Sequence, residues 1–218
     1  MPENLHFLKD IVDEVNSSRD PCRSGFLTPS GLRRVLLLMI RGHWSSGKNH
    51  GPDLEDSLSC LEWNPDKKER QVDIELAGTA GSKEAGDSAI FLRVGNFAFR
   101  KVSFGAISDI SEDNATIVRT YPCKAQVVFV HESPNLDVAF DMAWSTFSFI
   151  SGYAEALTEI LGQEASITPS VVGEPQASED TPTKRYRVDF AMEIELHISV
   201  STTQESHRLK RAFDQYTN

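Results

Sequence analysis

The chain has 218 residues, of which 39% are hydrophobic and 25% charged, with a mean hydropathy of -0.32; this is the composition of an ordinary globular protein and excludes a disordered or fibrous chain. A formal net charge of -10 and a pI near 5.1 oppose tight general binding to a phosphate backbone, which relies on Lys and Arg displacing counterions. Cys22, Cys60 and Cys123 are odd in number and far apart, so a disulfide framework is not expected and a reducing compartment is the simpler reading.

The first residues carry Glu3 and Asp10 among apolar positions, unlike a secretory signal, and the longest strongly apolar run, Val35 to Ile40, is far short of a bilayer span. A soluble product without membrane contact is the expectation. Leu5, Leu8, Val12 and Val15 recur at helical spacing and predict a helix over 2–16, within an N-terminal helical extension of 1–28. Thr28 and Pro29 then form an N-cap and first-position pair that opens a helix to about Ile40, with Leu32, Val35, Leu36 and Met39 on its buried face.

Residues 41–68 are rich in Gly, Ser, Asn, Asp and Pro. They read as an extended connection anchored by Trp44, Leu58, Leu61 and Trp63. Val72, Ile74 and Leu76 alternate with polar residues and predict a strand, followed by a flexible glycine-containing loop over 77–87. Two further strands are expected over 90–104 and 116–130, with bends at Asn96 and Pro122.

Ser133 and Pro134 predict the start of a long helix. Its stripe runs through Leu136, Phe140, Ala143, Phe147, Ile150, Ala154, Leu157 and Leu161 to Gly162, and Gly152 is a point where it could kink or stop. A short strand over 167–172 and a mobile loop over 173–184 follow. From Tyr186 to Val200 apolar and polar residues alternate without a miss, predicting one strand of about 15 residues, roughly 50 Å long. Such a strand is expected to outrun its own sheet, leaving an edge that must pair with another chain or stand in solvent. The fold class expected is α+β, a mostly antiparallel sheet flanked by helices, with a core over 29–203 and a tail over 204–218.

Chemical motifs are sparse. Gly42 to Lys48 fits seven positions of a phosphate-binding loop, but Asn49 stands where the Mg²⁺-ligating hydroxyl belongs and Gly51-Pro52 opposes the helix that must follow. Nucleotide hydrolysis through Lys48 is therefore the rival reading and not the leading one. Cys22, His43, His50 and Cys60 lack the spacing of a zinc site, so no metal and no cofactor is expected. His197 lies on the polar face of the last strand, and Arg93, Arg100 and Lys101 form a small basic cluster beside Phe97 and Phe99. No nucleophile elbow and no Gly-x-Gly-x-x-Gly loop occurs, and the chain is read as a non-enzyme.

Four segments stand out in order: Leu61-Glu62-Trp63-Asn64-Pro65-Asp66 before the strand at Val72, Arg93-Val94-Gly95-Asn96-Phe97-Ala98-Phe99, His131-Glu132-Ser133 before Asp137-Val138-Ala139-Phe140-Asp141-Met142-Ala143, and the strand from Tyr186. Together they resemble tail-terminator-type neck proteins of tailed bacteriophages. The resemblance implies a virion protein that forms a homo-oligomeric ring, a hexamer, which caps the tail tube and joins it to the head connector or adaptor proteins. DNA would pass through the channel without specific binding. The implied subunit contacts are the loops 77–87, 105–115 and 173–184 and the last strand, with Arg93, Arg100, Lys101, Glu112, Asp113, Glu193, Glu195 and His197 as interface residues. The segment before Leu32 exceeds a minimal terminator, which keeps a head-tail stopper or adaptor role open.

Overall fold

A computed structural model describes residues 29–45, 54–77, 88–99, 109–110, 116–161, 166–178 and 185–203; the expected helix over 2–16, the loop 78–87 and the tail from 204 lie outside them. Three helices, α1 (Pro29–Trp44), α2 (Glu55–Leu58) and α3 (Leu136–Leu161), accompany seven strands. These are β1 (Val72–Leu76), β2 (Ser88–Phe99), β3 (Asp109–Ile110), β4 (Thr116–Ser133), β5 (Ser166–Val172), β6 (Gln176–Ser178) and β7 (Arg185–Thr203). All seven join one sheet in the order β1-β2-β4-β7-β5, with β3 on β4 and β6 on β7. The fold is α+β, as the sequence predicts.

The sheet is antiparallel except at one edge. There β1 and β2 run parallel, Val72 opposite Ser88 and Leu76 opposite Leu92. Helices cover one face. Val72, Ile74, Ile90, Leu92, Val127, Phe129, Phe190, Met192 and Ile194 are buried beneath them with Leu32, Val35, Leu36, Met39 and Ile40 of α1 and Met142, Ile150 and Leu157 of α3. At the centre Phe129 stacks on Phe190 at 5.5 Å, and Phe147 meets Phe190 edge-on at the same distance. Burying aromatic rings of this size contributes about 2–3 kcal/mol each.

The expected boundaries need four corrections. Helix α1 continues one turn past Ile40 to Trp44, because Trp44 is itself buried and the Trp63 amide donates to its carbonyl at 2.8 Å. The connection over 41–68 is therefore helical at its start, and it contains the short α2. Helix α3 is capped by Asn135 rather than Ser133: the Asp137 amide donates to Asn135 Oδ1 at 2.9 Å, while Ser133 is still the last residue of β4. It then runs through Gly152 unbroken. Finally, the loop expected over 173–184 contains β6, whose three residues pair with Arg185 to Arg187.

The expected stripe of α3 holds at Ala143, Ile150 and Leu157 but fails at its start. Ala139, Met142, Ala143, Ser145, Thr146, Ile150 and Leu157 are buried, whereas Leu136 and Phe140 are 38% and 42% exposed, with Trp144 beside them at 47%. The cause is polar. Ser145 Oγ lies 2.9 Å from His43 Nε2, and Thr146 Oγ1 lies 2.9 Å from His131 Nε2, so two hydroxyls occupy the inward face. Small alanines on that face let the helix approach the sheet closely.

Candidate assembly surface

Strands β4 and β7 pair over 18 residues, from Thr116 opposite Thr203 to Ser133 opposite Tyr186, a ladder of roughly 60 Å. The sequence predicts a last strand that leaves its sheet behind. In the structure β4, with 18 residues against 19, pairs with β7 from Tyr186 to Thr203. What remains open is the other side of β7: β6 and β5 pair with Arg185 to Glu195, and no described strand pairs with Leu196 to Thr203 on that side. On the outer side of β4, β2 pairs as far as Cys123 and β3 meets only Ile117 and Val118. Beyond the body of the sheet, Thr116 to Tyr121 and Ile198 to Thr203 thus form a narrow arm roughly 20 Å long, where the two-residue β3 is the one further described strand.

Pro122 stands at the root of this arm, one position past the last β2 partner and opposite His197. A residue with no amide proton fits there, where β4 has no described neighbour on its outer side. The bend expected at Asn96 is a register shift between Val94 and Phe97 in the β2–β4 ladder. Gly95 lies within it. A Cβ at that position would sit 3.2 Å from the Gln126 carbonyl oxygen, so the close strand approach suits glycine.

The face of the sheet away from the helices holds the polar half of β7. Lys124 of β4 donates to Glu193 at 2.6 Å and also bridges Glu195. Those hydrogen bonds, Glu193 first, hold the Lys124 ammonium above its ordinary pKa. Nearby Arg187 forms a two-point ion pair with Asp189, at 2.7 Å for both contacts, which raises its pKa too. The acidic row expected on β7 is therefore neutralised in part within the subunit.

Of the residues singled out from sequence, Glu193 and Glu195 are brought together by Lys124, which sequence reasoning passed over; a lone cation in the apolar run of β4 was the available signal. Arg93 is exposed on β2, in register with Val128 and through it with Ala191, on the same face. His197 takes its register position opposite Pro122. Arg100, Lys101, Glu112 and Asp113 lie outside the described residues, as do Lys48, Asn49, Cys22 and His50.

The other chemical candidates do not converge. Gly42, His43 and Trp44 belong to α1, so the first residues of the phosphate-loop match are helical and are not preceded by a strand. His43 is buried, stacked on Phe149 at 4.3 Å, whereas Cys60 is exposed. Among the described residues, no three His, Cys, Asp or Glu side chains are grouped to hold a metal. No described helix is long and apolar enough to cross a membrane.

At the β1 edge a side chain occupies one backbone carbonyl of the strand. Arg41 donates from Nε and Nη2 to the Ile74 carbonyl at 3.1 and 2.8 Å, and its guanidinium and that of Arg70 lie 5.1 and 5.4 Å from the Trp63 ring centre. Burial, then the nearby Arg70 charge, lowers the Arg41 pKa. Open backbone is found on the β5 and β7 side. The chain matches no protein-family model and no curated protein.

Proposed function

We propose that this chain is a structural assembly protein of the neck of a tailed bacteriophage, a tail-terminator-like subunit. It forms a hexameric ring that ends the tail tube and meets the head-connector proteins, and its location is the virion. The observation that supports the reading is the β4–β7 arm. A ribbon of two long strands with only the short β3 described beside them is marginally stable in water, so an arm of this length with an open edge on β7 is best stabilised by a neighbouring subunit that adds backbone hydrogen bonds. A net charge of -10 suits a channel lining past which DNA slides without adhering.

Mass measurement of the purified chain by light scattering, paired with its detection on purified particles, tests the proposal. A ring mass is expected, together with association with the neck. In the assembled form the backbone amides from Leu196 to Thr203 should all resist hydrogen exchange, whereas a monomer should protect only those directed at β4. A chain that stays monomeric at high concentration and is missing from particles would refute the reading.

A further inference from the structure

Among the described residues the helical layer does not cover the whole sheet. Helix α1 packs on β1 and β2, and α3 packs on β4, β7 and β5. Beyond α3, on the β5 side, no described helix follows. What is left is a ledge. Its wall is the row Leu136, Phe140 and Trp144, spaced four apart on one flank of α3, with Trp144 stacked on Phe147 at 5.3 Å. Its floor is Ile167, Val172 and Tyr186, all half-buried and placed on the helix side by their register or packing. Three large apolar side chains 38–47% exposed in a row about 12 Å long are the dimensions of a contact for two to three helical turns.

The rim of this ledge is acidic. Asp137 is exposed and Asp141 half-exposed, one position on from Leu136 and Phe140. A two-fold contact that set one ledge against another would oppose these carboxylates to their own copies, in a protein already at -10. The complementary surface is on α1. Its outward side presents exposed Arg33 and Arg34 with half-exposed Leu37 and Leu38, while Leu32, Val35, Leu36 and Met39 face the core. These two surfaces sit at opposite ends of the helical layer, α1 over β1 and the ledge over β5.

We infer that the ledge formed by Leu136, Phe140 and Trp144 of one copy receives helix α1 of the next copy, Arg33 and Arg34 meeting Asp137 and Asp141. This rests on the reading of the chain as a self-assembling subunit and names the contact. The contact is head-to-tail: the two patches differ, so each subunit uses one to give and one to receive, and the chain of contacts closes into a ring if the rotation permits. It extends the helical layer from subunit to subunit while the Arg41 contact at β1 disfavours continuation of the sheet by strand addition there.

Charge exchange tests this directly. One variant carries Asp137→Lys and Asp141→Lys, the other Arg33→Glu and Arg34→Glu, and both are checked for native helix content by circular dichroism. Each alone should self-associate more weakly than the unaltered chain by at least about tenfold in light scattering or native mass measurement. Mixed in equal amounts they should regain the unaltered mass, because every contact between unlike variants again joins opposite charges, and the assembly should alternate in composition. Phe140→Ser with Trp144→Ser, at solvent-facing positions, should lose self-association without rescue by either partner, and carries the test if a charge variant fails to fold.

Variants that assemble like the unaltered chain, or mixtures that fail to recover, overturn the contact and leave the ring standing on some other one. An unaltered chain that is monomeric at every concentration overturns both.

Discussion

Lowering the pH from 7 to 5 is expected to destabilise the fold through one side chain, His131. Its ring is fully buried between β4, β7 and α3. The Val188 carbonyl, 3.1 Å from Nδ1, can only accept, so Nδ1 carries the proton and Nε2 accepts from the Thr146 hydroxyl at 2.9 Å. The neutral ring is thus satisfied on both nitrogens. Burial opposes a charge here and lowers the pKa from 6.5 to about 4, outweighing the Val188 bond and the Asp189 charge, which act the other way. The unfolded chain binds a proton below about 6.5 and the folded chain does not until about 4, so stability falls as pH falls through this window. The full effect of such a shift is about 3 kcal/mol, of which about 2 is reached by pH 5. Urea denaturation of the unaltered chain and of His131→Gln, at one protein concentration and at pH 7 and 5, isolates the contribution from that of the carboxylates. The stability gap between the two proteins should narrow by about 2 kcal/mol at the lower pH. A gap that does not change would show that the imidazole is protonated as readily in the fold as outside it, and the reasoning would fail.

Three further outcomes follow from the same structure. Phe190→Ala removes a ring that is fully buried against Phe129 and Phe147, and should cost about 3–5 kcal/mol in urea denaturation; a loss below about 1 would mean the centre of the core is placed wrongly. Lys124→Met should leave the urea midpoint nearly unchanged, since Lys124 and both its glutamate partners are substantially exposed, and any loss should shrink in high salt. Asn135→Ala removes the cap of α3 and should cost about 1 kcal/mol, whereas a neutral result would return the cap to another residue.

The long last strand was plain in the sequence because its alternation and its burial have the same cause. Val188, Phe190, Met192 and Ile194 face the helices, and the residues between them face away. Its partner was less legible. The sequence marks Thr116 to Val130 as a strand, yet nothing local states that it runs beside the entire length of β7, since register between distant segments is a tertiary property. For the same reason the parallel pairing of β1 with β2 had no sequence signal; the segment joining them reads only as a glycine-containing loop. On α3 the misreading has a sharper cause. Its sequence is apolar on more than one side, and counting apolar residues selects Leu136 and Phe140 over Ser145 and Thr146. The buried histidines reverse that order, because His43 and His131 need hydroxyl partners and draw Ser145 and Thr146 inward. The displaced apolar residues become the exposed row that forms the candidate docking ledge, a feature legible only after the histidines are placed.

The two edges of the sheet are unequal, and that inequality limits how copies can join. Arg41 occupies the Ile74 carbonyl at the β1 edge and Trp63 holds the guanidinium in place from above, so a strand approaching there would have to displace two hydrogen bonds and a cation–π contact. On the far side β7 leaves Leu196 to Thr203 without a described partner on one side, and the ledge beside α3 leaves large apolar groups in water. Continuation of the sheet from β5 to β1 would have to displace the Arg41 contact, which disfavours that route. In the proposed ring, contacts of unlike kind are used in sequence, helix α1 into ledge and arm onto neighbour. Unlike contacts are the requirement for a closed ring of more than two copies of a single chain, and the rotation built into each contact decides between a ring and a filament.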